Sequence, residues 1–590
     1  MINITRIVCN FAVVCSCTLA LLAGPASAQQ ITAAQLFPKS TVLYSEITEP
    51  PKLLELVLHH PLRSKLDQVP AFRKAIKSPE FLKFQLGVGL FEGHMGMPWN
   101  EALAAIGAGG VYFAFDAKSQ GAAVLVKAKD LDTLINLRKA LFQVIQVGAQ
   151  AEGKPDPINK GEYRGLTAYE VNKVKLIALD SWLLITNKDE LGKRIVDQHL
   201  DGGSETLAQH EEFIAAAATK PESVTAWSFT DIATIREAGA MKDFYSGRTD
   251  NIVAEMLLGG LVSNLKNTPY STAALSITDA QLQLSVRTPH SAEWIGDREY
   301  YFGTDNSGTA QQPIVLLDSI FTLSTYRDLS QMWLRAGDLM TDKANDQLAQ
   351  ADSQLTTFFS GKDFGQDILG SLYPELQVVV TRQNPEDFVV KPAIKLPAFA
   401  IVARMHTPET TVPQFRRVFQ SFIGFINVIG AMNGQPQLDL AMESTSQMQL
   451  VTASYVPEQD DKDSQAKINF NFSPSILFTG ERLVLASSKQ LAAELAEAAA
   501  APPVALNTAA GDPKPNTVGV LEVATLREIL ADNQAQLVAQ NMLDKGHSQA
   551  AAEQEIELFM SLVSLFQSGD IALSTAADSL RLNATLRFSE

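Results

Sequence analysis

Cysteine is nearly missing from this 590-residue chain: its three copies, Cys9, Cys15 and Cys17, all fall among the first 17 residues. The rest of the chain therefore has no route to disulfides, thiolate metal sites, a cysteine nucleophile or thiol redox chemistry. A chain this long can do without disulfides, because a large apolar core buries enough surface to stabilise it. Positive charge is also short: 48 Lys and Arg stand against 65 Asp and Glu, a formal net charge of −17. That balance argues against nucleic acid and anionic lipid headgroups as partners, since both would be repelled. Beyond residue 23 no run is apolar enough to span a membrane. The longest candidate, 415–429, is broken by Arg416, Arg417, Gln420, Ser421 and Asn427 and reads as an amphipathic core helix.

What is present begins with an export signal. Arg6 precedes an apolar stretch over 7–23, then Gly24-Pro25 and the small-residue site Ala26-Ser27-Ala28 before Gln29. The pattern predicts cleavage after Ala28 and an exported chain, periplasmic or extracellular. Asn10 interrupts the stretch, which falls short of the ~20 residues of a membrane anchor. Loss of Arg6 takes the mature charge to −18.

The mature chain reads as one module written twice. Ala274-Leu275-Ser276 with Leu282-Gln283-Leu284 is echoed by Ala572-Leu573-Ser574 with Leu580-Arg581-Leu582. In the same order, 121–128 corresponds to 398–405, 183–191 to 483–491, and 224–237 to 518–528. The opening strand at 40–48 has its expected counterpart at 313–318, and the helix before 111–115 has its own before 376–380. The second copy carries extra residues at 383–395 and at an acidic stretch, 458–463, both expected as hairpin loops. The expected domains are a signal at 1–28, a first repeat at 36–289, a linker at 290–310 and a second repeat at 311–590. The fold class is α+β, each module a largely antiparallel or mixed sheet with helices packed on one face. A doubly wound parallel sheet is the runner-up.

These features together resemble the domain-of-unknown-function 3352 family of exported bacterial proteins. The residues that carry the resemblance are Ser40-Thr-Val-Leu-Tyr-Ser-Glu46, the helix from Trp99 to Gly107 running into a hairpin, and the strand-to-helix step from Leu183 to Leu191. The resemblance implies export and a repeated α+β module. It implies no activity, because the family has none established and its motifs are packing motifs.

No catalytic, cofactor-binding or metal-binding residues stand out. The eight histidines (His59, His60, His94, His199, His210, His290, His406 and His547) lack metal spacing, and the pair His59-His60 reads as a solvated helix end. Gly87, Gly89, Gly93 and Gly96 have no Gly-Lys-Ser/Thr after them and read as a turn delivering Trp99 to its helix. Ser263 with Lys266 and Ser464 with Lys467 match Ser-x-x-Lys without the partner motifs of that chemistry. Glu458, Asp460, Asp461 and Asp463 lack the central glycine of a calcium loop. Arg236-Glu237 and Arg527-Glu528 recur at equivalent helix starts and are expected to serve structure. The expected function is a non-enzymatic binding or envelope-associated role, with an apolar small ligand or an envelope protein as partner. A carrier holding an apolar ligand between sheet and helices comes next, then a hydrolase with a site of scattered residues.

Overall fold

The computed structural model describes residues 31–589 except 68–69, 152, 154, 241, 246–247, 385–387, 389, 457–467 and 499–512. The signal site Ala26, Ala28 and Gln29, the acidic residues Glu458 to Asp463, and Ser464 with Lys467 lie outside the described residues. The chain divides into two compact units. Unit 1 runs up to Ala240 and adds Thr268–Thr288; unit 2 is Met241–Asn267 with everything from Pro289 on.

Unit 1 contains strands β1 (Thr41–Ile47), β2 (Val111–Asp116), β3 (Gly121–Lys127), β4 (Ile158–Tyr163), β5 (Leu166–Val171), β6 (Val174–Leu179), β7 (Trp182–Thr186), β8 (Ala226–Asp231), β9 (Tyr270–Ile277) and β10 (Gln281–Pro289). They pair in the order β10-β9-β8-β1-β2-β3-β7-β6-β5-β4, antiparallel throughout. Tight turns set several registers. Asn172 and Lys173, both at positive φ, make the two-residue link between β5 and β6.

Helices cover both faces of this sheet, which corrects the expectation of helices on one face. On one side Leu191 and Ile195 of α4 (Asp189–Asp201) pack with Leu36, Phe37, Ala123, Leu125, Leu184 and Trp227. On the other, α1 (Pro79–Met95), α2 (Trp99–Ile106) and α3 (Leu131–Ala151) bring Met95, Ala102, Ile106, Leu134 and Leu137 onto Val124, Val126 and Leu183. The physical reason is legible in β3, where Gly121 to Val126 are all buried: a strand covered on both faces is a continuous apolar run, not an alternation. The glycine-rich turn is also corrected. Gly87, Gly89 and Gly93 lie inside α1, where added Cβ atoms would meet open space, and only Gly96 ends the helix, at φ 69°.

Unit 2 contains β11 (Ser319–Tyr326), β12 (Glu375–Thr381), β13 (Ala398–Arg404), β14 (Leu438–Ser444), β15 (Met448–Tyr455), β16 (Ser475–Thr479), β17 (Arg482–Ala486), β18 (Pro515–Glu522), β19 (Phe566–Thr575) and β20 (Ser579–Phe588). Their order is β20-β19-β18-β11-β12-β13-β17-β16-β15-β14, again antiparallel at every step. Position for position this is the order of unit 1. The detail agrees too: the first strand is bulged between Thr41 and Leu43 in one unit and between Ser319 and Phe321 in the other. In the closing hairpins Leu284 opposes Leu275 and Leu582 opposes Leu573. The opening strand of unit 2 is Ser319–Tyr326 and not 313–318, because Ile314 and Leu316 instead pack sideways onto that unit's core.

The expected linker at 290–310 is built into unit 2. Helix α5 (Ile252–Asn267) crosses the short helix α6 (Glu299–Phe302), whose Tyr300, Tyr301 and Phe302 are fully buried. Gly259 and Gly260 permit this approach, since a Cβ at Gly260 would lie 2.3 Å from the Tyr301 ring. Further helices flank the sheet, among them Val523–Asp532 against β11 and β19. Phe419 and Ile423 of α7 (Pro408–Met432) pack on Ile476, Phe478 and Leu483, while Leu491 and Leu495 of α8 (Lys489–Glu497) pack on Ala400, Val402 and Val484 across the opposite face. Ser488 caps α8 by accepting the Leu491 amide at 3.2 Å. Among the described residues no helix is long and apolar enough to cross a membrane.

Candidate functional site

The antiparallel register assembles two rows of side chains across one face of unit 2. Directly opposed residues share a face, so the first row is Ile571, Gly519, Leu323, Val378, Ile401, Leu485 and Ile476. The second is Gly569, Leu521, Phe321, Val380 and Phe399. Every member is apolar or glycine. Helix α7 covers the β16 end of this face, where Ile476 is buried. Phe399 is 50% exposed, Ile401 45%, Leu485 38% and Ile571 41%, which makes this an apolar floor open to solvent.

The same rows in unit 1 read differently. They are Ala273, Ser228, Ser45, Phe113, Val124, Ile185 and Leu176, then Ser271, Thr230, Leu43, Phe115 and Ala122. Four hydroxyls stand where unit 2 has Gly519, Leu323, Leu521 and Gly569, and Ala122 and Val124 stand where it has Phe399 and Ile401. Val124 is only 5% exposed beneath its helices. At the β12 positions the order is reversed, Phe113 and Phe115 standing where unit 2 has Val378 and Val380, so the excess of exposed apolar surface in unit 2 lies at Phe399 and Ile401, which contribute little to folding unless something covers them.

Helix α7 adds to the exposed apolar surface. Phe422, Phe425, Ile429 and Met432 recur at three- and four-residue spacing, all exposed, along a stripe offset from the buried pair Phe419 and Ile423. Edge strand β14 leaves Leu440 and Met442 exposed beside it in register with Ala453 and Val451, which face α7.

A pocket enclosed between sheet and helices is not the open feature. The cavity under α3, lined by Leu134, Leu137, Leu141 and Leu183, has a volume of 40 Å³, far below what a ligand pocket of roughly 300 Å³ or more needs.

The structure does not bring the residues singled out in the sequence into one site. His59 is exposed at the end of its helix, and His60 accepts the Leu62 amide at 3.1 Å. His199 lies 3.1 Å from Asp180, and His210 lies 3.1 Å from Glu212 and 3.3 Å from Asp231. His94 contacts the Leu90 carbonyl, His406 stacks on Tyr373, and His547 pairs with Glu555. Among the described residues no three His, Asp, Glu or Cys side chains form a metal-holding group. The Ser263 hydroxyl is buried and donates to the Trp294 carbonyl at 2.9 Å, a fastening for α5. Arg236 donates to the Thr268 carbonyl, while Glu528 pairs with Arg382 at 2.9 Å.

Sequence reasoning missed a buried charged network in unit 2. Glu255 on α5 takes two bonds from Arg298, at 2.8 and 3.2 Å, and one from the Tyr300 hydroxyl at 2.7 Å. Burial and then the Glu255 charge push the Tyr300 phenol far above its ordinary range. Arg327, 1% exposed, donates to the Met256 and Tyr326 carbonyls and to Asn516 and lies 3.4 Å over the Tyr301 ring; burial lowers its pKa. His290 is 5% exposed between Asn264 and Asn306, and burial holds its pKa below the ordinary value. These groups fasten α5 and the 290–310 segment to unit 2. The hint in the sequence was aromatic, Trp294 with Tyr300, Tyr301 and Phe302, a cluster that points to packing of part of the 290–310 segment.

No protein-family model matches the chain, and no curated protein matches it. Among solved structures, crystal form IV of TP0453 is similar over 44% of this chain and 81% of its own, at 9% identity and a TM-score of 0.24. Crystal form III gives 8% identity, 44% and 80% coverage, and a TM-score of 0.23.

Proposed function

We propose that this is an exported, non-enzymatic protein made of two copies of one α+β module, in which the second copy binds an apolar ligand on its open sheet face. The observation that carries the reading is the pair of rows from Ile571 to Ile476 and from Gly569 to Phe399, free of polar side chains where the corresponding rows of unit 1 hold Ser45, Ser228, Thr230 and Ser271. The shared strand order, the bulge in each first strand and the matched closing hairpins support descent of both units from one module. Export rests on residues 1–28, and the likeness to the domain-of-unknown-function 3352 family rests on the motifs quoted for it.

The ligand that suits the floor is an acyl chain. From β19 to β17 the floor crosses six strands, about 24 Å at roughly 4.8 Å per step. An acyl chain spans about 15 Å, half of a ~30 Å hydrocarbon core. A surface without hydrogen-bonding side chains recognises such a chain by burial alone, at about 25 cal/mol per Å². Solvent extraction and native mass spectrometry of the purified full chain test this, together with titration of an uncharged fluorescent probe such as N-phenylnaphthylamine. The expected results are a co-purifying lipid or saturable probe binding. A clean mass with no probe binding would sink the reading.

A further inference from the structure

Unit 1 holds a second, chemically opposite feature. Between α3, the last turn of α1 and the β4–β5 hairpin lies a cleft of 510 Å³ lined by three basic side chains, Arg138, Lys139 and Lys160, and by His94. Two elements aim these groups at one spot. Lys160 sits directly opposite Tyr169 across β4 and β5, so both project from the same face of the hairpin. Arg138 and Phe142, one turn apart on α3, reach the same ring: Phe142 meets Tyr169 edge-on at 4.8 Å, and the Arg138 guanidinium carbon lies 5.2 Å from its centre. The Lys160 ammonium lies 5.9 Å from that centre.

The cleft also holds one carboxylate, Asp156, which accepts from Gln146 at 2.7 Å and from the Ile158 amide at 2.9 Å, so the basic side chains outnumber it three to one. Among the described residues Arg138, Lys139 and Lys160 have no carboxylate partner, in a chain whose net charge is −17. The aromatic ring holds Arg138 and Lys160 near one another without consuming their N–H donors. Three like charges gathered at one cleft repel, and that repulsion is relieved when an anion enters. A guanidinium fork with the Lys160 ammonium beside the same ring suits the oxygens of a phosphate group, with Lys139 lining the cleft one residue further along α3.

We propose that this cleft, a local basic exception to the net acidity that argues against anionic partners for the chain as a whole, binds a phosphate group carried by a small molecule or a lipid headgroup. The inference is independent of the apolar floor of unit 2, and its test uses a different probe. The full chain is titrated at low salt with glycerol 3-phosphate by calorimetry, and separately sedimented with phosphatidylglycerol and phosphatidylcholine vesicles. Saturable binding of glycerol 3-phosphate, weakened tenfold or more by Lys160→Gln and by Arg138→Gln and by added salt, supports a free phosphate ester. Sedimentation with phosphatidylglycerol alone, with the same dependence on both residues, assigns the phosphate to a headgroup. Lys139→Gln, at an exposed helix position, gives a variant expected to keep the wild-type melting temperature, and Lys118→Gln, at an exposed turn that does not line the cleft, should bind as wild type. Binding of neither probe, or binding that Lys139→Gln and Lys160→Gln leave intact, overturns the proposal.

Discussion

Phe399→Ala places in unit 2 the residue that unit 1 has at the same register position, Ala122. Half of the Phe399 surface is exposed in the free protein. A phenylalanine side chain offers roughly 200 Å², so a ligand lying on the floor covers about 100 Å² of it. At ~25 cal/mol per Å² that is about 2.5 kcal/mol of binding, an upper limit corresponding to a roughly 60-fold weaker dissociation constant. The half already buried contributes to folding, so the variant also loses about 2 kcal/mol of stability. A control separates the two effects. Val484→Ala removes a fully buried side chain on the opposite face of the same sheet and should lower stability while leaving binding unchanged. The assay is titration of the uncharged fluorescent probe into each purified protein, with thermal melts alongside. Should Phe399→Ala bind within twofold of wild type, or Val484→Ala weaken binding equally, the floor is not the binding surface.

Two predictions concern the buried network of unit 2. Glu255→Ala leaves the Arg298 guanidinium buried without its carboxylate and should destabilise unit 2 by about 3–5 kcal/mol, whereas Glu255→Met with Arg298→Met should recover most of that loss; denaturant unfolding of the three proteins checks both. The His290 imidazole, its pKa lowered by burial, takes up a proton less readily folded than unfolded. Its contribution to stability is therefore complete above the unfolded value of about 6.5 and is lost as pH falls from there toward the folded value. Melting temperatures measured from pH 8 to 5 should fall more steeply for wild type than for His290→Gln, and parallel curves would refute the assignment.

The elements themselves were largely legible. Apolar spacing located the strand-to-helix steps at Leu183 to Leu191 and Leu483 to Leu491, and both closing hairpins, because periodicity of two or 3.6 is a local property. The glycines of α1 misled for the opposite reason: Gly87, Gly89 and Gly93 stand in a helix held by contacts with its neighbours, which propensity alone does not report. The face count failed likewise, since whether an apolar run is covered once or twice depends on helices distant in the chain.

What the sequence by itself determined is the chemistry withheld from the chain beyond residue 17, with no cysteine and an excess of acid, and the ordered echo of apolar patterns along its two halves. Those are facts of composition and short-range spacing. Only the tertiary structure decided that Ile571, Leu323, Val378, Ile401 and Leu485 form one apolar row, exposed at Ile571, Ile401 and Leu485, and that Ser45 and Ser228 interrupt its counterpart. The physical reason is register. Each strand is buried or exposed by what pairs beside it and packs above it, and the residues of that row lie up to about 250 positions apart. The same holds for Arg138, Lys160 and Tyr169, ordinary surface residues in the sequence, which become a cationic cleft only when α3 lies beside the β4–β5 hairpin.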